Sequence, residues 1–267
     1  MDREGRVGHA GPVTQDVTAV QVAASLVLVL VALAGGWWMG LGITRRLVVA
    51  VVRAAVQLVA IGFLLGRIIG ADQAMVLAWC WVGLMVVITS AVARHRAPGL
   101  PGGGPLAGVA VAGTVGLTLA VIFGLGVLDY EPVNVIVVAG ITIGNAMPSQ
   151  VLGATRLVEA VEERRGQLEA MLALGLTVPQ IVQVAGGPIV RTALIPQIER
   201  TNVVGLIALP GAMTGLLLAG ADPVDAVLVQ LIVMYLVLGA VAASVILTVV
   251  GGMRRLFTPD RRLRTST

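Results

Sequence analysis

The sequence predicts an all-α, polytopic membrane protein with seven transmembrane helices, its N-terminus outside and its C-terminus inside. Of its 267 residues, 57% are hydrophobic and only 12% are charged, which is about half the charged fraction of a soluble domain. The apolar residues gather in stretches of about 20, the length that crosses the hydrocarbon core of a bilayer. Loops rich in arginine alternate with loops rich in acidic residues, and this alternation predicts an orientation.

The apolar stretches follow one another from the N-terminus. A polar tail over residues 1–16 precedes them and is predicted to be extracytoplasmic. The predicted spans are residues 17–43, 47–69, 74–93, 106–128, 133–152, 203–219 and 226–250. They define a transmembrane domain over residues 17–252, and residues 253–267 form a basic cytoplasmic tail. A multi-pass protein of the cell (inner or plasma) membrane is therefore expected.

Arginine placement gives the orientation. The loops after spans one, three, five and seven carry arginine, as at Arg45 and Arg94, whereas those after spans two, four and six carry Asp72, Asp129 and similar residues. Positive charge stays in the cytoplasm. The sequence pI near 10.5 follows from these loop arginines, so no nucleic acid is expected as a partner.

A charged insertion over residues 156–200 separates spans five and six on the predicted cytoplasmic side. Leu157, Leu168 and Leu172 recur between its charges at helical spacing, which predicts one or two amphipathic helices. Gly175 is expected to end the first helix and Pro179 to begin the next. The polar face carries more glutamate than arginine, which favours docking on a protein partner over lying in the lipid interface.

Two spans contain proline and polar residues, which makes them candidates for a translocation path. Proline frees a backbone carbonyl inside the span, and that carbonyl then requires another partner or a wet cavity. The alternative is helix packing, in which small residues and amides join neighbouring helices. Arg53 either contributes to the path or extends its charged end to the interface. The candidates are Arg53, Gln57, Asn145, Met147, Pro148, Ser149, Gln150, Pro210, Met213 and Thr214.

Several classes of function lack the residues that they require. The sequence has no lysine, so a phosphate-binding loop with its lysine is excluded and ATP hydrolysis belongs on another chain. Cys80, His9 and His95 give neither a disulfide nor a paired-histidine metal site. No carboxylate lies within any predicted span, so a proton relay of the usual kind has no carrier. We expect a transport subunit rather than an enzyme, with no cofactor bound by this chain.

Residues 169–175, Glu-Ala-Met-Leu-Ala-Leu-Gly, resemble the EAA signature of ABC-importer permeases, and Pro188 stands at the matching distance. In those permeases the motif forms a cytoplasmic coupling helix that fits a groove of the ATPase subunit. The resemblance implies the same role here for a helix over residues 159–175. The implied ATPase-docking residues are Glu159, Glu162, Glu163, Arg165, Glu169, Ala170, Met171 and Gly175.

A longer set of motifs resembles the FetB-type family of ABC transporter permeases over roughly residues 40–264. The motifs are Gly144–Ser149, Ala173–Thr177, Arg191–Pro196, Val204–Leu206, Leu209–Gly215 and Arg254–Thr258. Members of that family have seven spans, with bacterial members linked to iron export and plant relatives to aluminium tolerance. The resemblance implies a homodimeric permease with two copies of a separate ATPase, which binds ATP and Mg²⁺.

We therefore expect the permease subunit of an ABC transporter that exports iron or another metal species. The residues themselves do not indicate bare iron, because iron favours carboxylate or imidazole ligands and Met147 and Met213 are soft, weak ones. A chelated metal or an organic substrate fits the path residues equally well. The alternative function is an ATPase-independent carrier or channel for a small solute.

Overall fold

The computed structural model describes residues 21, 24–40, 42, 44–258 and 263, which form helices with two isolated bridges. The predicted tail 1–16, the start of the first span and most of the basic tail beyond residue 258 lie outside the described residues. The helices are α1 Val27–Trp38, α2 Thr44–Ile69, α3 Ala74–Arg96, α4 Gly103–Gly124, α5 Pro132–Glu163, α6 Arg165–Ala173, α7 Val178–Asn202, α8 Gly211–Leu218 and α9 Pro223–Leu256.

Six of these helices are long and apolar enough to cross a membrane: α2, α3, α4, α5, α7 and α9. The prediction of an all-α, polytopic membrane protein is thereby confirmed. The shorter apolar helix α1 lies within the predicted first span. Spans two to five and span seven coincide with α2, α3, α4, α5 and α9.

The predicted sixth span is wrong in position. Residues 203–219 do not form one helix, because Gly205 has a positive φ of 88° and Pro210 disfavours helical backbone at the residue before it. The short α8 follows. The helix of spanning length is α7, which sequence reasoning had placed in the charged insertion.

The helix α7 runs without interruption through Gly186, Gly187 and Pro188. It carries only three charged residues, Arg191, Glu199 and Arg200, whereas most charges of the predicted insertion precede it, at the end of α5 and in α6. The insertion over residues 156–200 is thus shared among three helices. Glu199 also places a carboxylate in a candidate span, contrary to the expectation that none had one.

The turn between α6 and α7 forms as the sequence predicts. The N–H of Gly175 bonds to the Leu172 carbonyl, and Gly175 has a φ of +87°, a left-handed conformation that glycine adopts without a Cβ clash. At the start of α7, the Gln180 side-chain oxygen accepts hydrogen bonds at 2.8 Å from both the N–H and the hydroxyl of Thr177. Pro179 stands in the first turn, where its missing N–H costs nothing.

The chain divides into two compact units. The first contains α1 and α2, which pack against each other, together with residues 218–220. The second contains the remaining helices and is organised around α5, which packs against α3, α4, α7 and α9. Small residues permit this packing: a Cβ on Gly153 would lie 3.2 Å from Val249 on α9 and 3.4 Å from Ala193 on α7.

Basic residues gather at one end of the second unit. Arg255, in the last turn of α9, donates a 2.8 Å hydrogen bond to the carbonyl of Gly102 in the loop after α3. Arg254, Arg255 and Gly102 line a groove with Val178, the first residue of α7. The loop after α3, the start of α7 and the end of α9 therefore lie together.

Candidate functional site

A cavity of about 330 Å³ lies in the second unit, between α5, α7, α9 and the residues around Pro210. Its size is at the lower end of the range for small-molecule sites, about 300–1,000 Å³. Apolar side chains form most of its wall. The polar and sulfur-bearing lining residues are Asn145, Gln197, Arg200, Thr201, Gln230 and Met234.

A hydrogen bond between α5 and α7 forms one wall of this cavity. The Asn145 amide nitrogen donates to the carbonyl of Ile141 on its own helix, at 2.7 Å. This bond directs the amide oxygen of Asn145 outward, and that oxygen accepts a 2.8 Å hydrogen bond from Nη1 of Arg200. Arg200 belongs to the last turn of α7, where a cation interacts favourably with the helix dipole.

Two further amides stand on the other sides of the cavity. Gln197 precedes Arg200 by one turn of α7 and is only 6% exposed. Gln230 lies on α9, and its side-chain oxygen is buried without a hydrogen-bond partner among the described residues. An unpartnered buried oxygen costs about 1–3 kcal/mol, and a ligand that donates a hydrogen bond would recover that cost once the Gln230 side chain turns its oxygen toward the cavity.

The loop before α8 closes the cavity and is held by its own backbone. The N–H of Gly205 bonds to the carbonyl of Ala208 at 2.9 Å, and those of Ile207 and Ala208 bond to the Val203 carbonyl. The Pro210 carbonyl accepts from both the N–H and the hydroxyl of Thr214. Irregular backbone of this kind is tolerated at membrane depth where it lines a cavity.

The structure brings only part of the predicted path together. Asn145 and Pro210 line the cavity, whereas Met213 and Thr214 do not. Arg53 and Gln57 are exposed on α2, in the first unit. Met147 packs beside Ala93, Ala107 and Val151, Ser149 is buried, and Pro148 is exposed on α5.

Gln150 is a fully buried contact between three helices. Its amide nitrogen donates to the Ala107 carbonyl on α4 at 3.0 Å and to the Thr248 hydroxyl on α9 at 2.8 Å. These bonds match the packing alternative rather than the path. Its side-chain oxygen has no partner within the described part of the chain.

Sequence reasoning missed Gln197, Arg200 and Thr201 as cavity residues. The signal was present, because these residues are three and four apart and share one face of a helix. It was hidden because this stretch was assigned to a cytoplasmic insertion. Gln230 was likewise absent from the predicted path.

The predicted docking residues lie around α6, at the opposite end of α5 and α7 from the cavity. Glu162, Glu163 and Glu169 are exposed, and two surface ion pairs, Arg156–Glu159 at 2.9 Å and Arg165–Glu169 at 3.0 Å, lie among them. Ala170 and Gly175 are exposed, and Met171 packs partly against the core. The expected single helix over residues 159–175 is interrupted at Arg164, which separates α5 from α6.

Among the described residues, no three His, Cys, Asp or Glu side chains come close enough to hold a metal ion. The described residues that line the cavity include no His, Cys, Asp or Glu. Their one ionisable group is the Arg200 guanidinium. The site therefore offers amide groups and a fixed positive charge.

Comparison with known proteins agrees with the motif resemblance. Residues 19–257 match the uncharacterised protein family UPF0014. The UPF0014 membrane protein STAR2 of Oryza sativa subsp. japonica is 36% identical over 234 residues, covering 87% of this chain and 81% of the relative. The probable iron export permease protein FetB of Escherichia coli is 30% identical over 250 residues, covering 94% and 96%. The protein ALUMINUM SENSITIVE 3 of Arabidopsis thaliana is 31% identical over 248 residues, covering 92% and 90%. No solved structure is significantly similar.

Proposed function

The chain belongs to the UPF0014 family of membrane proteins, and on this premise we propose that it is the transmembrane permease subunit of an ABC transporter. A relative of similar length is named as a probable iron export permease, which supports export of iron or another metal species. ATP and Mg²⁺ would bind to a separate ATPase subunit. Two copies of the permease would assemble with two ATPases.

The helix α6 is the observation that carries the proposal. It has only nine residues and joins two helices of spanning length. Leu168 anchors it in the core at 3% exposure, while Leu174 directly after it is 80% exposed next to a charged surface. An apolar side chain presented beside exposed charges is typical of a helix that docks in a groove of a partner.

The basic end of the second unit supports a cytoplasmic location for α6. Arg254 and Arg255 lie beside Val178, only a short turn away from α6 along the chain. Since arginine-rich ends stay in the cytoplasm, this end would face the ATPase. Seven spans with the N-terminus outside then follow if α7 is the sixth and the region of α1 the first.

Association with the ATPase tests the proposal. We expect Glu169→Arg, which reverses a charge on α6, to weaken co-purification of an ATP-binding subunit about tenfold, or about 1.4 kcal/mol. Gly175→Pro should have at least this effect, because proline cannot adopt a φ of +87°. Glu131→Arg is the matched control, since Glu131 is exposed at the other end of α5.

Both α6 variants should still insert in the membrane as multi-pass proteins. An ATPase that binds both variants as tightly as the original chain would refute the docking assignment. Transport by the purified chain alone, in liposomes without nucleotide, would instead support a carrier or channel.

A further inference from the structure

Among the described residues, the charge of the cavity has a single source. Of the described residues that line it, only Arg200 is ionisable. Its neighbour in sequence, Glu199, is exposed and is not part of the lining. A cavity with one guanidinium and no carboxylate among its described lining residues carries a net positive charge, and the exposed Arg200 side chain is accessible to a ligand that enters it.

The guanidinium of Arg200 is only partly used. It donates one hydrogen bond to the neutral amide oxygen of Asn145, although a guanidinium has five N–H donors. The two ion pairs of the described chain are formed by Arg156 and Arg165, so Arg200 has no carboxylate partner there. An arginine in a membrane-spanning bundle normally pairs with an anion or faces a wet cavity.

The other polar groups of the cavity lining narrow the class of ligand that it can bind. The buried oxygen of Gln230 accepts no hydrogen bond among the described residues, and a turn of this side chain, which lines the cavity, would offer it to a hydroxyl or N–H group of a ligand. The Gln197 amide, on the same helix as Arg200, can donate to a ligand oxygen. The cavity thus offers donors for an anionic group and amide and hydroxyl oxygens that can accept from a neutral donor.

We infer that this cavity binds a small organic anion that also carries a hydroxyl or amine group. The inference rests on the proposed transport function, and it names the class of substrate. A metal would pass through this cavity as the anionic complex of such a ligand. A bare Fe²⁺ ion would meet a fixed positive charge, and the amides present are poor substitutes for the carboxylate or imidazole ligands that iron favours.

Binding of radiolabelled citrate, a hydroxylated tricarboxylate, to the purified full-length chain in lipid nanodiscs tests this inference. We expect saturable citrate binding that Fe²⁺ alone does not displace. Arg200→Ala should weaken it about tenfold or more, since the guanidinium is the one cationic group among the described lining residues. Arg200→Lys, which keeps the charge, should retain part of the affinity.

Two further variants keep the test decisive if Arg200→Ala fails to fold. Asn145→Asp places a carboxylate against Arg200 and should abolish citrate binding by neutralising the guanidinium. Arg191→Ala removes an exposed arginine of the same helix that does not line the cavity, and it should bind citrate normally. Citrate binding that ignores both Arg200→Ala and Asn145→Asp, or tight binding of Fe²⁺ alone, overturns the inference.

These measurements use the permease without an ATPase. Loss of ATPase association with citrate binding intact would therefore overturn the proposed function and leave the anion site in place. Normal ATPase association without citrate binding would overturn only the anion site.

Discussion

Replacing Gln150 distinguishes a packing residue from a path residue. In Gln150→Ala, the bonds to Ala107 and Thr248 are lost, at about 0.6–1.7 kcal/mol each within a membrane protein. The cavity left by the missing atoms adds about 1–2 kcal/mol. Removal of the unpartnered side-chain oxygen offsets about 1–2 kcal/mol. The expected net loss in the free energy of unfolding is about 1–3 kcal/mol.

Gln150→Met keeps most of the side-chain volume while losing the same bonds and the same unpartnered oxygen. Its expected change is within about 1 kcal/mol of zero, because the terms nearly cancel. Unfolding by detergent titration in mixed micelles, followed by tryptophan fluorescence, measures both. Gln183→Ala is the matched control, since Gln183 is exposed on α7.

The packing role also requires that both variants transport normally per folded molecule. If Gln150→Met kept its stability but lost transport, Gln150 would be a path residue. If Gln150→Ala were as stable as the original chain, the three-helix contact would have no energetic value. Either result would refute the reasoning from the structure.

Three other substitutions test how the second unit is held together. Gly252→Ala places a Cβ 2.8 Å from Leu157, so it should destabilise the protein by about 1–3 kcal/mol in the detergent titration. Gly239→Ala, on the same helix, places a Cβ where nothing lies within 4 Å, and it should stabilise the protein by about 0.5–1 kcal/mol. Gln180→Ala removes both bonds to Thr177 and should cost about 1 kcal/mol, seen as faster hydrogen exchange in the first turn of α7.

Hydropathy placed five of the predicted spans on helices of spanning length because each contains a long, predominantly apolar run. The turn at Gly175 and Pro179 was also predictable, since glycine and proline restrict backbone conformation locally. The sixth span was not, for two reasons. The helix α7 carries Arg191, Glu199 and Arg200, all three exposed, so its charges conceal a helix of spanning length from a hydropathy argument. Proline in the apolar run 203–219 breaks that run into a loop and the short helix α8.

The cavity was only half predictable from the sequence. Asn145 and Pro210 were identified because polar groups and proline are unusual within an apolar span. Arg200 was missed as their neighbour because its hydrogen-bond partner is 55 residues away along the chain. Local patterns indicate which residues are costly in a membrane, but only the packing of α5 against α7 shows which of them meet.

The two candidate sites are connected by the same pair of helices. The helices α5 and α7 are joined at one end by α6, and the Arg200–Asn145 hydrogen bond links the far end of α7 to the middle of α5. About 27 Å of helix separates Asn145 from the end of α5, and about 33 Å separates the start of α7 from Arg200. A partner that moves α6 therefore acts on both helices at once, and any change in their relative register alters the bond that forms the cavity wall. A substrate anion on Arg200 would act on the same bond from the other end, so the two sites would bias a single two-state element.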